Sequence, residues 1–179
     1  AETEAAGKPF HQIHVGIGIN TGNCCVGNMG SDQRFDYSVL GDEVNLASRL
    51  EGQSKIYNAD IVIGANTYEQ ALDYAALELD LITVKGKTKP VRIFAVLGDP
   101  GFSASEEFRA IAQRHEQMLE AYRSRRWDEA LALIGQCREL DTTRTRLRVL
   151  YALYTERINA FRAHPPSEEW DGSHAATAK

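Results

Sequence analysis

The chain has 179 residues, a formal net charge of -5 at pH 7 and 43% hydrophobic residues. This length and composition suit one globular domain, or a small domain with an appendage, around a packed core. The acidic balance argues against a dedicated nucleic-acid binder, which normally presents a basic surface. We therefore expect a globular protein with no nucleic-acid partner.

The cysteines and the apolar runs indicate the compartment in which the protein works. Cys24 and Cys25 are adjacent, and with one further cysteine they do not make a disulfide framework, which indicates a reducing compartment. No apolar run reaches the roughly 18 residues that span a bilayer, and the acidic first residues do not resemble a signal peptide. Because the opening alanine runs almost at once into an apolar strand, we expect a soluble piece of a longer protein.

Two short strands are the first predicted elements. Apolar residues alternate over residues 11–20, and a second strand follows at residues 24–29 after a turn. Gly16 and Gly18 weaken the first strand, so they mark the close approach of another backbone, a side chain or a ligand. An antiparallel hairpin is the shortest connection between the two strands. We expect this hairpin in the structure.

A helical period replaces the alternation at Asp42, which is placed to be the N-cap, and we expect the helix to end at Gly52. Its apolar stripe is formed by Val44, Leu46, Ala47 and Leu50. Further strands are predicted at residues 60–64, 77–84 and 91–97, with a brief helix at 65–72 and a hairpin tip at 85–90.

The Asp-Pro-Gly sequence at residues 99–101 predicts a domain boundary, because a helical period replaces the strand period beyond it. We expect one domain over residues 1–99, a helical appendage over 104–163 and an irregular tail over 164–179. The predicted helices of the appendage are residues 108–122, 127–140 and 143–163. The stretch around Trp127 resembles a tetratricopeptide helix-turn-helix, and one such repeat cannot bury its own face.

Asn45 and Arg49 are the first candidates for chemistry. They are four residues apart on the predicted helix and therefore share a face opposite the apolar stripe. An amide that orients a hydroxyl, next to a guanidinium that neutralises developing phosphoryl charge, suits phosphoryl or nucleotidyl transfer. The spacing fits an ordinary solvated helix face equally well.

A longer motif surrounds this pair. Residues 34–50 read Arg-Phe-Asp-Tyr-Ser-Val-Leu-Gly-Asp-Glu-Val-Asn-Leu-Ala-Ser-Arg-Leu, which resembles the signature of class III nucleotidyl cyclases. Residues 15–22 and 26–30 resemble the central hairpin of that family, and residues 84–87 resemble its phosphate-binding turn. The resemblance implies an α+β fold, the C-terminal half of a ferredoxin-like cyclase domain. It also implies conversion of ATP to 3',5'-cyclic AMP and pyrophosphate.

The resemblance assigns roles residue by residue. Asn45 matches the ribose-orienting asparagine, Arg49 the transition-state arginine at the α-phosphate, and Lys85 a lysine at the terminal phosphates. Ser38 occupies the base-selecting position, where adenylyl cyclases typically have Asp or Thr and guanylyl cyclases have Cys. Because a serine hydroxyl both donates and accepts, ATP is favoured by similarity to threonine while GTP stays an alternative.

The family also implies partners that these residues do not supply. Its two metal-binding aspartates, which hold Mg²⁺ or Mn²⁺, lie upstream of residues 11–98, and no Asp-x-x-Gly-Phe segment occurs in the chain. We assign no metal ligand, including His11 and His14, and expect the isolated chain to be inactive. The resemblance further implies a homodimer, in a cytoplasmic domain of a membrane-anchored bacterial protein.

Two other functions stay open at this point. The natural protein could be a degenerate cyclase that senses nucleotides, which the intact Asn45 and Arg49 argue against. Alternatively, residues 104–163 could be the functional part, as a helical protein-interaction module. The upstream sequence discriminates the first of these, and a pull-down with the helical part discriminates the second.

Overall fold

A computed structural model of the chain describes residues 14–31, 34–83 and 89–175. Its strands are β1 (Ile17–Ile19), β2 (Cys25–Ser31), β3 (Arg34–Leu40), β4 (Ile61–Gly64), β5 (Ala75–Thr83), β6 (Val91–Gly98) and β7 (His174–Ala175). Its helices are α1 (Asp42–Tyr57), α2 (Ala65–Tyr68), α3 (Pro100–Ser103), α4 (Glu106–Arg123), α5 (Trp127–Leu140) and α6 (Arg148–Ala163). The expected α+β class is confirmed.

The main sheet has five strands in the order β1-β4-β6-β5-β7. Strands β4, β6 and β5 are antiparallel neighbours, whereas β1 and β7 each lie parallel to the strand beside them. The predicted pairing of the strands around residues 77–84 and 91–97 is confirmed, with Leu77 opposite Ala95. The tip of that hairpin, including Lys85, lies outside the described residues.

The predicted hairpin between residues 11–20 and 24–29 is wrong. Strand β1 pairs in parallel with β4, and β2 pairs instead with β3, with Gly27 opposite Ser38. Residues 34–40, which begin the cyclase-like motif, therefore form a strand. Both connections are short, but two residues join β2 to β3 whereas three join the strands of the predicted hairpin, and two-residue loops are the commonest connection of antiparallel strands. We call this pair the β2–β3 ribbon.

Helix α1 differs at both ends from the prediction. Its N-cap is Gly41 and not Asp42, which lies in the first turn, where a carboxylate complements the helix dipole. It continues through Gly52 to Tyr57 and ends at Asn58, which adopts a left-handed conformation. Glycine inside a helix costs about 1 kcal/mol relative to alanine. Packing of the last turns offsets this cost, because Gln53, Ser54 and Tyr57 are buried.

The predicted apolar stripe of α1 is only half buried. Leu46 and Leu50 belong to the core, but Val44 and Ala47 stay partly exposed. The core includes Leu79, Val62 and Ala95 from the sheet, so α1 packs with the strands around it. The buried face thus runs from Leu46 to Tyr57 along the whole helix.

The backbone of β1 lies directly against α1. A Cβ atom on Gly18 would lie 2.2 Å from the Ala47 carbonyl oxygen and 2.3 Å from the Glu51 nitrogen. A Cβ atom on Gly16 would lie 2.0 Å from the Ser54 hydroxyl oxygen. These distances are shorter than van der Waals contact, so the predicted close approach at the two glycines is confirmed, and the neighbour is α1.

Residues 100–163, which we call the helical segment, begin with a capped turn. The Asp99 carboxylate accepts a hydrogen bond from the Phe102 N–H at 2.8 Å, and Pro100 occupies the first helical position. Helices α4 and α5 match their predicted ranges to within two residues, but α6 begins at Arg148 and not near residue 143. The division of the chain at residue 99 and the resemblance to a tetratricopeptide repeat stay predictions.

The late start of α6 has a local cause. The Asp141 carboxylate accepts hydrogen bonds from the Thr145 hydroxyl at 2.6 Å and from the Leu147 N–H at 2.9 Å. Such side-chain bonds compete with helical hydrogen bonds. Arg146 lies between them in a left-handed conformation, with φ of 51°. Residues 141–147 therefore form a turn that delays the helix.

The helical segment shares one core with the sheet. Its buried side chains include Ile111, Met118, Leu150 and Ile158, and they join the same cluster as the strand residues. Polar contacts cross the same boundary: His115 Nε2 donates to the Glu78 carbonyl at 2.7 Å, and Arg123 pairs with the Glu78 carboxylate at 2.5 Å. The helices therefore cover the sheet of their own chain.

The tail after α6 contains one short strand, β7. His174 lies opposite Ile82 of β5, so the tail adds a short parallel strand at the sheet edge. Trp170 anchors the tail, since its ring contacts Tyr122, Trp127 and Phe161 and its indole N–H donates to the Ser173 carbonyl. An unpaired strand edge readily accepts such an addition.

The close contact at Gly18 yields a first prediction. Gly18→Ala should lower the free energy of unfolding by about 3 kcal/mol, because the new methyl group meets the backbone of α1 and not a flexible side chain. Gly52→Ala is the control, since the space around Gly52 is open and alanine favours helix by about 1 kcal/mol. Urea unfolding measures both. Equal stability of the Gly18→Ala variant and the wild type would contradict the contact.

Buried His115 yields a second prediction. Burial lowers its pKa to about 4, although the Glu78 carbonyl and carboxylate oppose this. As pH falls, His115 is protonated in the unfolded state before it is protonated in the folded state. Its contribution to the free energy of unfolding is therefore complete above the ordinary histidine pKa and is lost as pH falls toward 4. Between pH 7.5 and 5.0 the wild type should lose roughly 2 kcal/mol through this group.

Urea unfolding at the two pH values tests this, with His115→Gln compared against His164→Gln, which changes an exposed histidine. The pH dependence should shrink in the first variant and stay in the second. If both variants keep the wild-type dependence, His115 is not its source.

Candidate active site

Helix α1 carries the two predicted catalytic residues near its N-terminus. The Asn45 N–H donates to the Gly41 carbonyl at 3.1 Å, so Asn45 lies in the first turn, and Arg49 follows one turn later. The Asn45 side chain is exposed and that of Arg49 is half-buried, while Leu46 and Leu50 are buried. The structure therefore places Asn45 and Arg49 on one accessible face of α1, as their spacing predicts.

The Arg49 guanidinium is not committed to another part of the fold. Within the described part of the chain, it makes no hydrogen bond and no ion pair. A guanidinium carries five N–H donors in a planar fork that matches phosphate oxygens. A half-buried cation whose donors have no protein partner suits the binding of an anionic ligand.

Ser38 lies on the ribbon strand that leads into α1. It is half-buried on β3, two residues before the end of that strand, and Gly41 then leads directly into α1. Its partner across the ribbon is Gly27, and no atom lies within 4 Å of the position that a Cβ on Gly27 would occupy. The ribbon thus leaves open space beside Ser38. Strand β3 touches α1, but among the described residues Ser38 forms no hydrogen bond with Asn45 or Arg49.

A cleft of about 470 Å³ opens at the N-terminal end of α1. It is lined by Asn20, Glu43, Leu46, Ala65, Asn66, Lys89, Pro90, Val91 and Arg92. Lys89 and Arg92 contribute positive charge and Glu43 negative charge, and the Arg92 guanidinium pairs with the Glu78 carboxylate at 2.5 Å. Ser38, Asn45 and Arg49 are not among the residues that line this cleft. Lys85 itself lies outside the described residues.

Asn20 is a site residue that the sequence reasoning missed. Its amide donates to the Glu43 carbonyl at 3.2 Å and to the Glu43 carboxylate at 2.7 Å. The side-chain oxygen Oδ1 of Asn20 lies against Gly64, since a Cβ atom on Gly64 would be 2.3 Å from this oxygen. Asn20 therefore joins the end of β1, the first turn of α1 and the end of β4. The detectable signal was a polar residue at the end of an apolar strand and just before a Thr-Gly turn.

The loop after β1 is fixed by a second pair of contacts. The Thr21 and Thr67 hydroxyl oxygens are 3.0 Å apart, and the Asn66 amide donates to the Thr21 carbonyl at 3.1 Å. These bonds attach the loop to α2. Together with the Asn20 amide, they fix the wall of the cleft that faces the start of α1.

The described residues do not fit a metal pair. In the ranges that the structure covers, no three histidine, cysteine, aspartate or glutamate side chains group together as metal ligands. The three cysteines are free, with Cys24 and Cys25 exposed and Cys137 buried. Two-metal catalysis needs carboxylates that converge on the ions. We therefore derive no step through a metal from these residues.

Similarity to known proteins extends over much of the chain. A family model described as the adenylate and guanylate cyclase catalytic domain matches residues 1–98. The terminal-differentiation specific adenylate cyclase of Dictyostelium discoideum is 32% identical over 143 residues, which is 75% of this chain and 6% of that protein. An adenylate cyclase of Anabaena cylindrica is 37% identical over 99 residues, which is 53% of this chain and 19% of that protein.

Two features of these matches bear on the chain. The chain spans less than a fifth of the length of either relative. The match to the Dictyostelium protein covers more of the chain than residues 1–98, so it extends into the helical segment.

A solved structure, the adenylyl cyclase CyaB from P. aeruginosa, is 44% identical and covers 44% of this chain and 40% of that chain, with a TM-score of 0.39. The family model alone matches more than half of the chain. The resemblance read from residues 34–50 is confirmed, and the chain belongs to the adenylate and guanylate cyclase catalytic domain family.

Proposed function

We propose that this chain supplies the ribose-binding and phosphate-binding side of a cyclase active site that converts ATP to 3',5'-cyclic AMP and pyrophosphate. The observation that carries the proposal is the uncommitted Arg49 guanidinium, one turn from the exposed Asn45 amide on a helix that strand β1 holds in place. The relatives named as adenylate cyclases support ATP as the substrate.

The reaction needs two things from these residues. The ribose 3'-oxygen attacks the α-phosphorus, loses its proton, and displaces pyrophosphate as the bond to the bridging oxygen breaks. Negative charge grows on the α-phosphoryl oxygens during this step, and Arg49 stabilises it with charge-assisted hydrogen bonds. Asn45 holds the ribose by its amide, so that the 3'-oxygen faces the phosphorus.

Further groups complete the substrate site in this proposal. Lys85 binds the terminal phosphates, and the exposed Lys89 at the edge of the 470 Å³ cleft favours the same polyanion. Ser38 reads the purine edge from the ribbon. We assign the divalent metal ions that the family uses to residues other than the described ones.

A homodimer is the proposed assembly. Several apolar side chains of β1 and of the β2–β3 ribbon are exposed on the single chain: Ile17, Ile19, Val26, Tyr37, Val39 and Leu40. Contiguous exposed apolar surface marks an interaction site in soluble proteins. A second cyclase domain that covers these strands would bring its own groups next to Ser38 and Arg49.

The cytoplasm is the proposed place of the reaction, since ATP is available there and the free thiols fit a reducing compartment. None of the helices in the described part of the chain is both long and apolar enough to cross a bilayer. Attachment of the whole protein to a membrane stays a prediction.

The role of Arg49 is tested in the full-length protein that contains this chain. Arg49→Ala should lower kcat by about 100-fold to 1,000-fold and raise the KM for ATP far less, because the guanidinium acts on charge that develops in the transition state. Lys55→Ala, which removes an exposed cation from the last turn of the same helix, should leave both values unchanged. Parallel losses in kcat and in ATP affinity would overturn the assignment.

The role of Ser38 is tested by competition between ATP and GTP. Ser38→Thr should keep the preference for ATP, because the hydroxyl is retained. Ser38→Asp should raise that preference several-fold, by about 1 kcal/mol, because a carboxylate accepts a stronger hydrogen bond from the adenine amino group. Values of kcat/KM for both nucleotides decide the matter, and a wild-type preference for GTP would make the protein a guanylyl cyclase.

A further inference from the structure

The Asp80 carboxylate, in the middle of β5, is the most deeply buried acidic group among the described residues, with 1% of the residue exposed. It accepts hydrogen bonds from the Tyr57 hydroxyl at 2.6 Å, the Tyr154 hydroxyl at 3.2 Å and the Leu81 N–H at 2.8 Å. It also pairs with the Arg157 guanidinium, whose side chain is 11% exposed. Four donors thus converge on one carboxylate.

The surroundings of Arg157 and Tyr57 determine their protonation states. Burial would lower the pKa of Arg157, but the adjacent Asp80 raises it, so the guanidinium stays charged. Burial and the same carboxylate raise the pKa of the Tyr57 phenol, so this hydroxyl stays a donor. A buried ion pair is weak evidence for stability, because desolvation offsets the attraction between its charges. The elements that the Asp80–Arg157 pair connects are therefore more informative than its energy.

The donors come from different parts of the fold. Tyr57 is the last residue of α1 and lies two turns after Arg49, whereas Tyr154 and Arg157 belong to α6. Arg157 also donates to the Tyr57 hydroxyl at 3.3 Å. The network therefore joins the end of the Asn45–Arg49 helix to the central sheet and to the last helix of the chain.

A second contact reaches the same place. Arg146, in the turn before α6, forms an ion pair with Asp60, in the loop that follows α1. Both side chains are largely exposed, so the ion pair adds little to the free energy of unfolding. The backbone of Arg146 adopts a left-handed conformation in this turn. Leu147 beside it is buried in the core. The helical segment thus contacts the end of α1 from two directions.

We propose that Tyr57, Asp80 and Arg157 are positioning residues for the cyclase reaction, through which the helical segment fixes the last turn of α1 and thereby the placement of Asn45 and Arg49. This inference rests on the proposed function. The Asn20–Glu43 bonds hold the first turn of α1, and the Asp80 network holds its last turn. A rigid helix held at both ends presents its side chains at one angle, and misplacement of a reacting group by about 1 Å costs about 100-fold in rate.

The chain offers a matched pair of variants for the test. Tyr57→Phe and Tyr154→Phe each remove one buried hydroxyl that contacts the same carboxylate, but only Tyr57 belongs to α1. The Tyr154 hydroxyl shares its proton between Asp80 and the Leu79 carbonyl, which lies at 2.9 Å. In the full-length protein, Tyr57→Phe should lower kcat about tenfold with the KM for ATP within about twofold. Tyr154→Phe should keep kcat within about twofold of the wild type. Both should lower Tm by a few degrees, since each leaves a buried acceptor with one donor fewer.

A second measurement follows α1 directly. Hydrogen–deuterium exchange of peptides that cover residues 50–58 should be faster in Tyr57→Phe and unchanged in Tyr154→Phe, whatever the effect of either variant on total stability. Equal effects of the two variants on kcat and on exchange in α1 would overturn the inference.

The test separates this inference from the proposed function. If the wild type is active and Arg49→Ala lowers kcat as proposed above while the two tyrosine variants behave alike, only the positioning role fails. If the wild type makes no cyclic nucleotide, the proposed function fails, and unchanged exchange in α1 of Tyr57→Phe then overturns the anchoring as well.

Discussion

The contact between the backbone of β1 and helix α1 is the constraint on which the rest of this structure depends. Gly16 and Gly18 leave no room for side chains, so α1 lies directly on the strand and parallel pairing with β4 carries both into the main sheet. Because β1 is used in this way, β2 is left to pair with β3. The same contact therefore places α1 against the main sheet, whereas the ribbon that carries Ser38 forms a separate two-stranded sheet.

Strand β5 provides the second constraint, at the boundary between sheet and helices. Its register against β6 shifts between Glu78 and Asp80, and such a bulge leaves backbone groups outside the ladder. The helical segment uses them: Tyr154 donates to the Leu79 carbonyl at 2.9 Å, and His115 donates to the Glu78 carbonyl. The two carboxylates next to these carbonyls are paired with arginines. Polar groups on a central strand are thus satisfied by helices that follow much later in the sequence.

What the sequence predicted well was local. The pairing of β5 with β6 follows from adjacent strands, and the common face of Asn45 and Arg49 follows from a spacing of four on a helix. The close approach at Gly16 and Gly18 was also predictable, because glycine weakens a strand interior and usually stands where another group comes too near for a side chain. The identity of the neighbour was not, since it depends on a helix that begins more than 20 residues later.

What the sequence did not predict was nonlocal or decided by one side chain. The predicted strand at residues 77–84 carried no indication that Glu78 and Asp80 are buried, and they are buried because residues 100–163 fold over them. The partner of β1 depends on β4, over 40 residues away. Helix α6 starts late because the Asp141 carboxylate accepts hydrogen bonds from the Thr145 hydroxyl and the Leu147 N–H. The hydrophobic period of the sequence predicts neither the burial of these acids, nor the partner of β1, nor the start of α6.

Arg49 differs from the other arginines of the protein in its surroundings. Most arginines of the described chain contact a carboxylate, a carbonyl, a polar side chain or an aromatic ring: Arg92, Arg109, Arg114, Arg123, Arg125, Arg126, Arg138, Arg144, Arg146, Arg157 and Arg162. Arg148 lacks such a contact in these ranges, but it is exposed at the start of α6 and can satisfy its donors with water.

Arg49 combines partial burial with the absence of any such partner in the described part of the chain. A half-buried guanidinium loses part of its hydration, and hydrogen bonds to a partner replace part of what is lost. An arginine that is left unpaired in this position therefore keeps its N–H donors available for a ligand. In the function proposed for this chain, the phosphate of the nucleotide accepts from these donors while the ribose hydroxyl contacts the exposed Asn45 amide one helical turn away, so one helix face serves both ends of the reacting bond.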